Sequence, residues 1–203
     1  MMKKVLVGFA ISLFAVTAAS ADNEPPPAAN IKVSPDWGKA QCAAQPGKGI
    51  TIMWDGVEDK RSNPIVGMLK KKKEEFEVKL AATVDATIGE AVKTVFSNCG
   101  FAVETKKEAA GVVTSVEVVE FFAGAKKGFL TGETDAKGSL VLHFNKAGGT
   151  YDFDLGATKS DKRLKKRDIK QLEEVLTGLL ESLAIQIVES PQLFEEVKKI
   201  AGR

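Results

Sequence analysis

One histidine, two cysteines and one tyrosine in 203 residues leave little material for most catalytic and metal chemistry. A nucleophilic Ser, Thr or Cys needs a base within hydrogen-bond reach, and His143 is the only imidazole that could serve. Alternation places it on the polar face of a strand, as a solvated residue. There is no CxxC pair, no Walker phosphate loop and no GxGxxG turn. Asp55, Glu58 and Asp59 supply oxygens, but not at the spacing of a calcium-binding loop. The chain is therefore expected to be no enzyme and to hold no metal or cofactor. An excess of one charge is also missing. Leaving out Lys3 and Lys4 at the N-terminus, the remaining basic residues equal the 27 acidic ones, which excludes a globally basic nucleic-acid binder.

The first feature present is a targeting signal. Met1-Met2-Lys3-Lys4 is basic, and Val5 to Val16 is apolar except for Gly8 and Ser12. Ala19-Ser20-Ala21 then offers the small side chains that signal peptidase accepts. Residues 1–21 read as a signal peptide cleaved after Ala21. The apolar run falls short of the roughly 20 residues that cross a bilayer, so no transmembrane segment is expected in the mature chain. The compartment is periplasmic or secreted. In that oxidising space two cysteines allow one intramolecular bridge, Cys42 to Cys99. Closing a loop of roughly 58 residues contributes on the order of 4 kcal/mol in the chain-entropy model. The alternative is two free thiols, with Cys99 packed at a helix end.

Residues 22–49 hold Pro25-Pro26-Pro27, Pro35 and Pro46 without a repeating apolar pattern, and read as an extended or disordered arm pinned by Trp37 and Cys42. A single α+β domain is expected over 50–203. Ile50 to Trp54 is a β-rich first strand, followed by a polar loop from Asp55 to Pro64. Lys70 to Lys73 meets Glu74-Glu75 in a charge run, and Phe76, Val78 and Leu80 alternate as a short strand. A helix is predicted from about Val84 to Cys99, with Thr83 as N-cap, Asp85 in its first turn and Gly100 as its stop. Strands follow from Phe101, over Val112 to Phe122, around Ser139 to Asn145, and through Tyr151, Phe153 and Leu155 after a Gly148-Gly149 turn. Asp168 and Gln171 open a second helix in a capping-box-like pattern. Its stripe runs Ile169, Leu172, Val175, Leu176, Leu179, Leu180, Leu183 and Ile187. Past Pro191 a short last helix carries Leu193, Phe194, Val197 and Ile200. The fold class is α+β, a mostly antiparallel sheet packed by two main helices plus a short C-terminal one.

The stretch Ile50 to Arg61 resembles the first strand and D-x-R loop of the YajG-type uncharacterised bacterial lipoproteins. The likeness continues through Gly89-Glu90-Ala91-Val92 and Gly100-Phe101-Ala102-Val103 to Phe194-Glu195-Glu196-Val197, covering about residues 50–200. It implies a cell-envelope protein of α+β fold with no established enzymatic chemistry. Those proteins carry a lipidated cysteine at the mature N-terminus; this chain has none there.

Two clusters stand out as candidate sites. Asp59 and Arg61 form either a local ion pair that fixes the loop or a recognition surface. Lys162, Arg163, Lys165, Lys166 and Arg167 lie in a cation-rich run from Lys159 to Lys170, before a helix N-terminus where an anion would be favoured. The run reads either as a solvated loop or as a contact for an anionic lipid, glycolipid or acidic envelope protein. The leading expectation is a non-catalytic exported envelope accessory or binding domain. The alternative is a carrier holding a lipid-like ligand in an apolar groove between sheet and helices. A hydrolase using Asp152 and Asp154 ranks third, since their alternation with Tyr151, Phe153 and Leu155 is explained by a one-sided sheet.

Overall fold

The structure, a computed structural model, describes residues 28–71, 74–105, 111–127, 132–163 and 168–203. Its backbone is organised around one long strand, β6 (Val112–Lys127). On one edge β6 pairs antiparallel with β7 (Gly132–Lys146), which pairs antiparallel with β8 (Gly149–Arg163). On the other edge two strands follow one another. β2 (Thr51–Asp59) runs parallel to the first half of β6, and β3 (Gly67–Lys71) runs parallel to its later part. β4 (Glu74–Leu80) pairs antiparallel with β3, while β5 (Ala102–Glu104) and β1 (Ala29–Ile31) add parallel edges to β2 and β4. The long meander makes this 8-stranded sheet antiparallel over most of its extent.

Burial follows the alternation that the sequence carries. Val112, Thr114, Val116 and Val118 of β6 point inward, and a bulge at Val118/Glu120 keeps Phe121 and Ala123 on the same side. A second bulge at Trp54/Gly56, with Gly56 at φ 128°, lets both Trp54 and Val57 reach the first helix. The helices α1 (Val84–Asn98), α2 (Ile169–Val188) and α3 (Pro191–Ala201) pack on the sheet, α2 mainly on β7 and β8. The Thr83 hydroxyl accepts from the Ala86 amide, Asp168 accepts from the Gln171 amide, and Gly100 is left-handed at φ 87° after α1. The α2 stripe is buried from Leu172 to Ile187, but Ile169 in its first turn is exposed.

Several elements depart from the expectation. The polar stretch Asp55 to Asp59 belongs to β2, because β6 offers it a parallel partner as far as Asp59↔Val118. β3 was not legible: its lysines mask a strand whose Leu69 is buried. The meander strands extend well past their apolar centres, and Lys159 to Arg163, read as loop, end β8. The hairpin turn is Ala147-Gly148, with Gly148 at φ 116°, since Lys146 pairs with Gly149. Gln171 does not close a capping box; its side-chain amide donates instead to the Asp161 carbonyl at 3.3 Å.

Among the described residues, the chain from β1 to Asp36 docks along α2. The amides of Lys32, Ser34 and Asp36 donate to Glu173 Oε1, Thr177 Oγ1 and Glu181 Oε1. Two residues of extended chain advance about 6.6 Å and four residues of helix about 6.0 Å, so every second amide meets every fourth helical side chain. Lys39 adds an ion pair to Glu181 at 3.0 Å, which raises the Lys39 pKa. Beyond the short 3-10 turn Trp37–Lys39, Cys42 is joined to Cys99 with Cα atoms 4.9 Å apart.

Candidate functional site

The β2 end and the loop after it bring Asp59 and Arg61 into a two-pronged ion pair. Arg61 Nε donates to Asp59 Oδ1 and Nη2 to Oδ2, both at 2.8 Å. Nη1 donates to the carbonyls of Ile65 (3.2 Å) and Phe121 (3.0 Å). The Arg61 side chain is only 6% exposed, so the guanidinium is spent inside the protein, stitching the loop to β6. This is the geometry of the fastening alternative. The neighbouring Glu58 pairs with Lys60. Hydrogen bonds from Arg61 hold the Asp59 carboxyl below its usual range of about 3.8. A lowered folded pKa stabilises above the unfolded value and is lost as pH falls through the folded one. Arg61→Met should therefore cost roughly 2–3 kcal/mol near neutral pH, because Asp59 and two carbonyls lose their donor. Asp59 should then titrate at a higher pH, an effect that carboxylate NMR reads directly. An unchanged melting temperature and an unchanged Asp59 titration would refute the fastening role.

On the sheet face opposite the helices, His143 Nδ1 lies 2.8 Å from Asp152 Oδ1, and Nε2 lies 4.0 Å from Glu117 Oε2. Ser115 is directly opposite His143 in the strand register but makes no hydrogen bond to it among the described residues. Asp152 and Asp154 are both exposed on this face, as alternation implied, while Leu155 is buried and Tyr151 and Phe153 are half-buried on the other.

Of the basic run, Lys162 and Arg163 end β8, and Lys165, Lys166 and Arg167 lie outside the described residues. Lys162 is 67% exposed and pairs with Glu133 of β7 at 3.1 Å. At the start of α2 the Gln171 amide donates to the chain's own Asp168 carboxylate, which caps the helix end.

A groove of about 460 Å³ lies beside Trp37. Its apolar lining includes Ile31, Val33, Trp37, Leu80 and Leu180, with Thr87 and Glu90 of α1 opposite the extended segment. This groove lies where an apolar groove was expected only in general, between sheet and helices. The proline-broken segment 31–37 forms one wall only because α2 anchors it, and that contact has no local sequence signal.

A helix-covered mixed sheet with a disulfide-tied N-terminal segment defines an α+β domain of an oxidising compartment. The chain belongs to the Lipoprotein_16 family, described as uncharacterized lipoprotein, whose family model matches residues 40–197. Membership makes it an exported envelope protein. No curated protein matches the sequence. Among solved structures it is similar to XCC0632 of Xanthomonas campestris, at 11% identity and TM-score 0.55, covering 85% of this chain and 99% of that one. It is also similar to lipoprotein GNA1162 of Neisseria meningitidis, at 13% identity and TM-score 0.34, covering 70% and 99%. A homolog of a putative neuraminyllactose-binding hemagglutinin from Helicobacter pylori stands at 10% identity and TM-score 0.40, covering 77% and 95%. The likeness to XCC0632 is one of fold. Both cysteines of the chain are joined to each other, so neither is available to carry a lipid.

Proposed function

We propose that the protein is a non-catalytic accessory or binding domain of the cell envelope, released by cleavage after Ala21 into the periplasm or medium. It contacts an anionic envelope component or partner protein through the basic segment that starts at Lys162 and Arg163 and continues with Lys165, Lys166 and Arg167. The observation that carries this reading is the position of Lys162. It stands exposed at the end of β8, directly before the cation-rich stretch 163–167. Exposed charges of this kind bind through screened attraction, so the contact weakens with salt over a Debye length of ~8 Å at physiological ionic strength. Protein purified from its host should begin at Asp22 and carry a partner in native mass spectrometry. Replacing the five cations with Gln should remove that partner and leave the melting curve unchanged. Retention of the same partner by the five-Gln variant would overturn the assignment.

The second reading is a carrier for a lipid-like ligand, favoured by the groove beside Trp37, whose volume falls in the range of small-molecule sites. The same spectra separate the two, since a carrier leaves its host with extractable lipid that the five-Gln variant retains, whereas an accessory domain carries a partner that this variant loses.

A further inference from the structure

The pairing of β1 with β4 stops while the chain after β1 still runs as a strand would. The two strands are parallel, and their last bond is the Ala81 amide donating to the Ile31 carbonyl at 2.7 Å. In a parallel ladder the next bond would run from the Val33 amide to the Ala81 carbonyl. It is not made, because the chain turns through Ala81 and Ala82 to the Thr83 cap of α1. Beyond Ile31 the amides of Lys32, Ser34 and Asp36 all donate to α2, a two-residue period that only extended chain has. Neighbouring backbone groups of extended chain point to opposite sides. The amide and carbonyl of Val33 and the carbonyl of Pro35 therefore face away from α2, on the side where Ile31 meets Ala81. Among the described residues none of these three groups has a hydrogen-bond partner. On that side lies the groove beside Trp37, with Ala86 and Glu90 of α1 in its opposite wall.

We propose that this groove accepts an extended polypeptide segment of a partner protein, which pairs its backbone with Val33 in the place that β4 vacates. The site lies apart from Lys162, and the proposal does not depend on the basic-segment contact. The open backbone groups choose a peptide over an acyl chain. An acyl chain filling the groove would drive water from the Val33 amide and carbonyl and offer them nothing in return. An added strand answers both with its own carbonyl and amide. The lining suits alternate apolar side chains of such a strand, since Leu80 and Leu180 also face the groove. From Ile31 to Trp37 the open edge is roughly 20 Å long, about six residues of strand. Pro35 has no N–H to give, so pairing rests on Val33 and one further carbonyl, and the contact is short and reversible.

The test is an NMR titration of the exported protein with a capped peptide of about eight alternating valine and threonine residues, long enough to cover the edge. Palmitate serves separately as the acyl-chain probe. The peptide should shift the Val33 amide resonance and slow its exchange with solvent. The amides of Lys32, Ser34 and Asp36, already bonded to α2, should keep their exchange rates. Val33→Pro removes the donor and should weaken binding about tenfold. Ala86→Trp fills the groove from its α1 wall and should abolish binding. Thermal melts check that both variants are folded, and Ala86 is exposed, so its replacement leaves the core intact. Binding of palmitate with the peptide ignored would overturn the proposal and leave the lipid-carrier reading standing. Peptide binding that leaves the Val33 amide exchanging freely, or that survives Ala86→Trp, would place the contact elsewhere and overturn it as well. If neither probe binds, the proposal falls, while the basic-segment contact is still decided by the five-Gln variant.

Discussion

Leu179→Asp abolishes the folded state, the largest effect expected of any single change in this protein. Leu179 is fully buried, and its methyl groups lie against the backbone of Gly138 on β7. A Cβ at Gly138 would come within 3.2 Å of Leu179 and 3.0 Å of Leu183, so helix and sheet approach each other where a glycine leaves room. A carboxylate at position 179 would lose its hydration with no cation among the buried residues to answer it. The effective cost of several kcal/mol is comparable to the 5–15 kcal/mol that separates a typical native state from its unfolded ensemble. Leu179→Ala, by contrast, removes about 2–5 kcal/mol and should leave a folded protein of lower melting temperature. Circular dichroism distinguishes the two. A folded Leu179→Asp protein of unchanged stability would mean that the α2 stripe is a surface for another chain rather than the core.

Second in size is the loss of the Cys42–Cys99 bridge. The cysteines are separated by 57 positions, and tying a loop of that length removes on the order of 4 kcal/mol of unfolded-state entropy. For a domain of this size Cys99→Ser should lower the melting temperature by about 10 °C, and reduction of the unmodified protein should do the same. Cys99 is wholly buried at the C-terminal cap of α1, where its carbonyl accepts from the Gly47 amide. The substitution therefore also frees the residue 40–50 segment, which should become the first site of proteolysis. An unchanged melting point would show instead that the amides of Lys32, Ser34 and Asp36 on α2, with the Lys39–Glu181 pair, hold the segment alone.

The elements with strong local signals were legible. α1 and α2 follow from caps at Thr83 and Asp168 and from apolar stripes at helical spacing. The core of β6 follows from a long β-rich run and those of β7 and β8 from alternation, which also placed Asp152 and Asp154 on the exposed face. The strand ends were not legible, because polar residues such as Asp55 to Asp59 or Lys159 to Lys162 become strand only when a neighbouring backbone takes their hydrogen bonds. Gln186 is an instance of the same dependence. Its amide donates to the Gly156 carbonyl at 2.8 Å and its oxygen accepts the Gly156 amide at 3.3 Å, answering the free edge of β8 from a helix. Nothing near either residue in the sequence announces that pairing.

The candidate sites divide in the same way. Composition was enough to locate the basic run before α2 and to narrow the disulfide to one pairing, since a residue's kind and count do not depend on the fold. The role of Arg61 depended on burial: only the packed β2–β6 end shows that its donors are consumed by Asp59 and two carbonyls. The groove beside Trp37 needed α2 to anchor an extended segment roughly 140 positions away, at contacts made through side chains. The backbone register that sets positions 126 and 162 on either side of Glu133 needed the strand pairing. Local pattern and residue chemistry belong to the sequence. Proximity between distant segments is created when backbone pairing and burial bring them together, and only the tertiary structure decided it.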